Sequence, residues 1–267
     1  MKKFTTLILF LFVIFAVSAQ VAYTDNLWRA NCITFASDNN KVIPEPTAFR
    51  VNATDKALII EFKLEGDHWN KYQKDPFKIV NNAWPSGESV EIFLDPGRSC
   101  SKYIQLACGV SGTRFDSRFV KKTWNAKWTV TRKDFKGGVI LSFRIPYDAD
   151  LKKPETGDVW GFNVCRNVCK TGKSPATYYT TFAKVGTVFN TPSKFAELRF
   201  GTEKTFSVAN QAKNLKQFAS VEKEIRALGF SKHFAPHIAQ LRKHCDETAI
   251  QIVKDELRLM KTMKECK

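Results

Sequence analysis

Four stretches of this chain alternate strictly between apolar and polar residues. Leu58, Ile60, Phe62 and Leu64 share one parity, as do Val90, Ile92 and Leu94. Val139, Leu141, Phe143 and Ile145 repeat the pattern, and so do Trp160, Phe162 and Val164. A period of two puts each set on one face of a β-strand, whereas on a helix it would scatter them around the axis. Turn chemistry separates the runs: Pro96–Gly97, Lys136–Gly137–Gly138 and Pro146. Residues 48–52 and 57–65 read as a hairpin, and residues 127–133 and 139–145 as another. Shorter strands are expected at 31–37, 102–109, 112–116, 178–182 and 195–200, with a loop at 38–46. Many short strands at this spacing predict a mainly β chain, an antiparallel β-sandwich. The long connection 66–83 holds His68, Trp69 and Tyr72. Connections of that length in compact domains are functional or disordered, and its aromatic content favours function.

The pattern changes near Thr202. Residues 203–267 contain glycine only at 229 and proline only at 236. Leu215, Phe218, Glu222, Ile225 and Leu228 follow helical spacing, with Gly229 in a C-cap position. A second helix is expected from about 236 to 264, with Ile238, Leu241, Cys245, Ala249, Ile252, Val253, Leu257, Met260 and Met263 along one face. The C-terminal part therefore reads as an α-helical hairpin. Two helices bury little surface alone, so they must pack on the sandwich or on another chain. At the other end, Lys2 and Lys3 precede an apolar run from Leu7 to Val17 and the small residues Ser18 and Ala19. This predicts a signal peptide over 1–19, cleaved before Gln20; the alternative is an uncleaved anchor, but the run is short of the ~20 residues that span a bilayer. The expected organisation is signal peptide 1–19, sandwich 20–202 and helical appendage 203–267, in a secreted, periplasmic or cell-surface protein with no later transmembrane segment.

Of 267 residues, 43% are apolar and 22 are Phe, enough for a substantial core. Export makes disulfides the default for the seven cysteines, with the odd one free or paired between chains. Cys165 and Cys169 lack the second close pair that a zinc site needs. The net charge of +16 suits anionic surfaces or plain solubility. Residues 114–136 interleave basic residues with Trp124 and Trp128; a stacking surface for nucleic acid or an acidic glycan is one reading, and the outer face of two strands is the preferred one. His233 and His237 are four apart, compatible with a shared metal or with an ordinary helix start that Pro236 disturbs. No metal or cofactor is expected, calcium being the only one kept in view, and nucleic acid is not the expected partner.

The segment 88–96 carries the chemistry. Val90, Ile92 and Leu94 face one way, while Ser89, Glu91, Phe93 and Asp95 face the other, as on a half-buried strand. Trp84 lies just upstream in a loop of Pro85 and Gly87. An exposed Trp beside an outward carboxylate is a platform for a ligand; a buried Trp and a merely solvated Glu are the alternatives. Glu88 and Glu91, three apart on a strand, fall on opposite faces and do not make a glycosidase pair. No nucleophile elbow, zincin motif or phosphate loop appears. A haem ligated by His and Met is not expected either, with Met260 and Met263 confined to the tail.

Trp84 followed by Ser89–Val90–Glu91–Ile92–Phe93–Leu94–Asp95 resembles the signature of family 9 carbohydrate-binding modules and their DOMON-like relatives. Tyr103–Ile104–Gln105–Leu106, Ile145–Pro146–Tyr147, Trp160–Gly161–Phe162–Asn163 and the run from Thr191 to Phe200 resemble further strands of that family, so the likeness covers about 25–201. It implies a non-catalytic sandwich that clamps a sugar between two aromatic rings. Trp84 matches the first ring. Phe189 falls at the second, where the family typically has Trp, and a core role is its alternative. Glu91 matches the carboxylate that bonds the sugar. Ala107 stands where an arginine reaches the sugar in other members. Gln105, Trp69 and Arg166 complete the expected ligand set. The function expected is a secreted polysaccharide- or oligosaccharide-binding protein whose helical tail serves assembly, as a homo-oligomer, or attachment. The alternative is a structural or interaction protein on the same sandwich that has lost its ligand.

Overall fold

The computed structural model describes residues 20–69, 74, 76–118, 124–148, 151–171, 175–243 and 245–265. The proposed signal peptide, Tyr72 and Cys266 lie outside these. Among the described residues, fourteen strands form two sheets. The strands are β1 (Val21–Tyr23), β2 (Arg29–Ala30), β3 (Thr34–Phe35), β4 (Asp38–Val42), β5 (Thr47–Ala53), β6 (Ala57–Glu65) and β7 (Ser89–Asp95). They continue with β8 (Ile104–Gly109), β9 (Arg114–Arg118), β10 (Thr129–Phe135), β11 (Gly138–Pro146), β12 (Val159–Val168), β13 (Tyr178–Thr181) and β14 (Ala196–Arg199). One sheet has the order β4-β3-β13-β12-β7-β8-β9, with β14 on the free half of β12 and β1 beside β14. The other has the order β10-β11-β6-β5-β2. The fold is thus the expected mainly antiparallel sandwich.

The alternating runs fill the space between the sheets. Leu58, Ile60, Phe62 and Leu64 meet Val90, Ile92, Leu94, Leu106, Phe162 and Val164 in one continuous core. Phe62 packs edge-on against Phe143, which lies flat on Trp128. β7 departs from expectation: all seven residues are buried. It lies between β12 and β8. Its core face meets the opposite sheet, and its other face is roofed by aromatic side chains and loops, with Phe93 against Tyr103 and Phe195. Period-two alternation reports which face is apolar, not whether the second face is covered.

One end of the core is ionic. Arg166 on β12 is fully buried. Its Nε donates to Glu88 Oε1 at 2.6 Å, Nη1 to Thr47 Oγ1 at 2.6 Å, and Nη2 to the Glu65 carbonyl at 3.1 Å. The Cys169 N–H donates to Glu88 Oε2 at 2.6 Å, and His68 Nε2 lies 3.3 Å from the same oxygen. Trp69, equally buried, stacks on His68 and lies under the guanidinium. Thr47 and Glu65 belong to one sheet and Arg166 to the other, so this cluster ties the two layers together.

Three local expectations are corrected. Residues 38–42 form the edge strand β4, not a loop; its exposed sequence Asp-Asn-Asn-Lys-Val carries no alternation, and pairing with β3 makes it a strand. Among the described residues no disulfide joins the cysteines, Cys32, Cys100, Cys108, Cys165, Cys169 and Cys245. The tail is three helices, not a hairpin: α1 (Glu203–Ala227), α2 (Ser231–Lys243) and α3 (Glu247–Glu265). The α1 end follows the expected glycine stop. Gly229 adopts φ 77°, its N–H reaches the Arg226 carbonyl, and the Phe230 N–H reaches that of Ile225. α2 starts earlier than Pro236, because Phe234 is drawn into the helical core. Asp246 then interrupts the expected second helix by capping α3: its Oδ1 accepts the Ala249 N–H at 2.8 Å. The break resets the helical phase, so Leu241, Val253 and Leu257 are buried while Ile252 and Met263 are exposed.

The helices build a separate core from Phe218, Val221, Ile225, Phe234, Leu241, Ile250, Val253 and Leu257. They join the sandwich at the start of α1. Phe206 packs edge-on against Tyr23 and under Arg199, and Lys213 pairs with Asp158 at 2.6 Å. Gly157 permits the close approach: a Cβ there would sit 3.0 Å from the Asn210 backbone nitrogen.

Burial pushes the Glu88 carboxyl up, but the Arg166 charge and the hydrogen bonds from His68, Cys169 and Arg166 outweigh it and hold it below the usual carboxylate range. A depressed carboxylate stabilises the fold above its unfolded pKa, about 4.3, and that contribution is lost as pH falls further through the folded value. Glu88→Gln leaves Arg166 buried and unneutralised, and is expected to cost about 3–5 kcal/mol in urea denaturation at pH 7. The difference between wild type and variant should begin to shrink below about pH 4.3, where the unfolded chain's carboxylate protonates, and go on shrinking as pH falls towards the lowered folded value. A variant as stable as wild type at pH 7 would show that the pair does not join the sheets.

Candidate functional site

Strand parity decides which side chains leave the core. On β7, Glu91 and Phe93 point away from the opposite sheet. In register beside Glu91 lie Ala107 on β8 and Cys165 on β12. Gln105 and Asn167 stand on the same face of those neighbours. Two loops rise over this patch. The first carries Trp84 and is held to β9 by the Ala83 N–H on the Arg114 carbonyl, 3.3 Å, and the Arg114 N–H on the Val80 carbonyl, 2.8 Å. The second, 187–190, is anchored at its ends: the Gly186 N–H donates to Asn39 Oδ1, and Thr191 Oγ1 donates to the Val188 carbonyl.

Between them opens a cavity of about 420 Å³, lined by Trp84, Glu91, Phe93, Gln105, Asn167, Tyr179, Thr187, Val188, Phe189 and Asn190. Trp84 is 54% exposed, so it is not a core residue; it meets Phe115 edge-on, with ring centroids 5.2 Å apart. Phe189 is half-buried and meets Tyr179 at 6.2 Å. Glu91 forms the floor, 3% exposed. Gln105 Nε2 donates to its Oε2 at 2.8 Å and Asn167 Nδ2 to its Oε1 at 2.9 Å. Burial pushes its carboxyl up, and the two hydrogen bonds offset that only in part. The Cys165 thiol beside it is held well above its ordinary value by burial and by the Glu91 charge, so it stays neutral.

The structure therefore gathers Trp84, Glu91, Gln105 and Phe189 around one cavity. It places Trp69 and Arg166 elsewhere, in the buried ionic cluster. Asn167, Tyr179 and the 187–190 backbone are additions. Parity within β12 puts Asn167 on the face away from Trp160, Phe162 and Val164 and Arg166 on the core face, but that this outer face adjoins Glu91 is decided only by the pairing of β12 with β7. Tyr179 has no such signal, since its strand is only four residues long, too short for a clear alternation.

The other candidate features resolve differently. Trp128 is buried with its Nε1 donating to Asp116 Oδ2 at 2.7 Å, so it offers no stacking face. Arg114 spans the Trp128 ring and Arg132 Nη1 donates to the Val110 carbonyl. His233 and His237 both turn to Glu256 on α3, with Nε2 atoms 2.7 and 3.4 Å from its carboxylate oxygens. Among the described residues no group of three or more His, Cys, Asp or Glu is arranged to hold a metal ion. A larger cleft of about 770 Å³, near the start of α1, is lined by Tyr147, Lys153 and Asp55, and none of its carboxylates is buried.

Residues 22–202 match the family described as "Carbohydrate family 9 binding domain-like". Comparison with curated proteins gives no match. Among solved structures, a putative carbohydrate-binding protein from Bacteroides uniformis is 12% identical over 69% of this chain and 100% of its own, with a TM-score of 0.51. A family 9 carbohydrate-binding module from Caldicellulosiruptor kristjanssonii in complex with glucose is 16% identical over 69% of this chain and 97% of its own, with a TM-score of 0.48. The same organism's module in complex with cellotriose gives 15%, 69%, 96% and 0.48. With the family's match spanning the whole sandwich, this chain belongs to the family 9 carbohydrate-binding domain-like proteins.

Proposed function

We propose that this protein is an exported, non-catalytic saccharide-binding protein, with Trp84 and Phe189 flanking the sugar and Glu91 beneath it. The observation that carries this reading is the meeting of two aromatic side chains with a buried carboxylate in one cavity of a family 9 sandwich. Sugars present apolar C–H faces that stack on rings, and rims of hydroxyls that need directed partners. Exposed Trp84 and half-buried Phe189 supply the first, and Glu91, Gln105 and Asn167 the second. The glucose and cellotriose held by the Caldicellulosiruptor module point to a glucan as the first ligand to test. Binding rather than hydrolysis is favoured because Glu88 is spent on Arg166 inside the core, which leaves Glu91 as the one carboxylate among the described residues lining the cavity.

The helices are read as an assembly or attachment device. Ile252, Leu259 and Met263 are exposed at one side of α3, 57%, 62% and 67% respectively. No helix among the described residues is long and apolar enough to cross a membrane. Export rests on the apolar run 7–17.

Calorimetric titration with glucose, cellotriose and xylo-oligosaccharides tests the site. Trp84→Ala and Phe189→Ala should each weaken the sugar that binds by roughly 5- to 150-fold, taking stacking at about 1–3 kcal/mol. Trp84→Ala should leave the melt nearly unchanged, because an exposed surface residue moves stability by about 0.5 kcal/mol. A melt lowered by many degrees, or a wild type that binds no saccharide, would replace the clamp with a structural role. Glu91→Gln should weaken binding tenfold or more, since a hydrogen bond to a charged group is worth about 1.5–3 kcal/mol. The fold should tolerate that change, because a neutral amide avoids burying a charge. Light scattering of the protein with and without residues 203–267 tests the tail; a monomer in both forms would end the assembly role.

A further inference from the structure

The floor of the cavity is unevenly supplied with donors and acceptors. Asn167 Nδ2 donates to Ser89 Oγ at 3.1 Å and to Glu91 Oε1 at 2.9 Å. These contacts orient the amide: turned over, its carbonyl oxygen would face a carboxylate, acceptor against acceptor. Asn167 Oδ1 is thereby left buried with no donor among the described residues, although the side chain lines the cavity and is only 6% exposed. Glu91, when ionised, only accepts. Gln105 directs Nε2 to Glu91, and its Oε1 takes a hydrogen bond from Ser117 Oγ at 3.4 Å. The described lining contains no Lys or Arg, and the position opposite Glu91 on β8 is Ala107. Each amide nitrogen at the floor donates to Glu91, Asn167 giving its second hydrogen to Ser89, and Asn167 Oδ1 is left there as an acceptor without a donor.

We propose that Asn167 Oδ1 and Glu91 form an acceptor pair that selects a saccharide by two neighbouring, unsubstituted hydroxyls, and that uronic acids are refused in spite of the chain's net charge of +16. This rests on the cavity being a saccharide site. Hydroxyls donate; ring oxygens, glycosidic oxygens, methoxy groups and carboxylates do not. A ligand edge of the second kind would set acceptor against acceptor and leave Oδ1 unpaired, and a site built to hydrogen-bond a hydroxyl rejects the analogue that lacks it. An ionised sugar adds repulsion from Glu91, with no cation in the described wall to offset it. The positive charge of the chain then acts elsewhere than in ligand selection.

The test is calorimetric titration of the wild type with glucose, mannose, xylose and cellotriose, followed by the single deoxy and O-methyl derivatives of the tightest monosaccharide and by glucuronate. Blocking either of two adjacent hydroxyls should lower affinity at least tenfold, blocking the others should change it less than threefold, and glucuronate should give no binding. A derivative series that stays within threefold throughout, or glucuronate binding as tightly as glucose, overturns this inference and leaves the saccharide site standing. A wild type that binds no sugar removes both. Asn167→Ala, checked for folding by its melt, should lose affinity for the parent sugar. It should lose none for the deoxy derivative that lacks the hydroxyl facing Asn167, which a merely structural role would not produce.

Discussion

A buried ion pair, Arg166 with Glu88, holds the end of the sandwich where its two sheets would otherwise be joined only by apolar contact. Burying either charge alone is costly, and the cluster meets that cost through geometry: Arg166 hydrogen-bonds to Glu88, Thr47 and the Glu65 carbonyl, and Glu88 also takes the Cys169 N–H. Because the partners come from both sheets, the pair also pins the register of β12 against β7, with Arg166 opposite Val90 and Cys165 opposite Glu91. A slip of one residue would bring Arg166 to the cavity and Asn167 into the core.

The site inherits its chemistry from that register. Along β12, the residue committed to the core and the residue offered to the cavity are consecutive, Arg166 and Asn167. Along β7 the same division separates Glu88 from Glu91. The two carboxylates accordingly differ in character: the first is held low by a guanidinium, the second is pushed up by burial among neutral amides. One stabilises the fold and the other remains available beneath a cavity. The rings that flank it come from loops, which are free to place an aromatic side chain in solvent because β9 and β4 supply their hydrogen bonds.

The helical part is attached by a small set of contacts near Gly157 and Phe206 and is otherwise sustained by its own core. Its three-helix form depends on one short cap, Asp246. An acidic N-cap followed by Glu247 in the first turn is a helix start, and a start in the middle of an amphipathic run divides it. Ile252, Leu259 and Met263 fall on one side of α3, away from its buried Ile250, Val253 and Leu257, and stay exposed.

What the sequence determined by itself was the class of fold, strands followed by helices, because a period of two and a period of 3.6 residues each admit one secondary structure and the change between them is abrupt at Thr202. Parity and loop composition, which are local properties, also marked Trp84 and Glu91, while Gln105 and Phe189 were expected through the family resemblance. Tertiary structure alone decided the rest. Trp69 and Arg166 look like ligand residues until the opposite sheet supplies Glu88, Thr47 and the Glu65 carbonyl. Asn167 becomes important only where β12 is set beside Glu91. β4 becomes a strand only by pairing, and the described cysteines form no disulfide because pairing is decided by distance in space. In each case the deciding quantity was a contact between residues far apart in the chain, which no local pattern encodes.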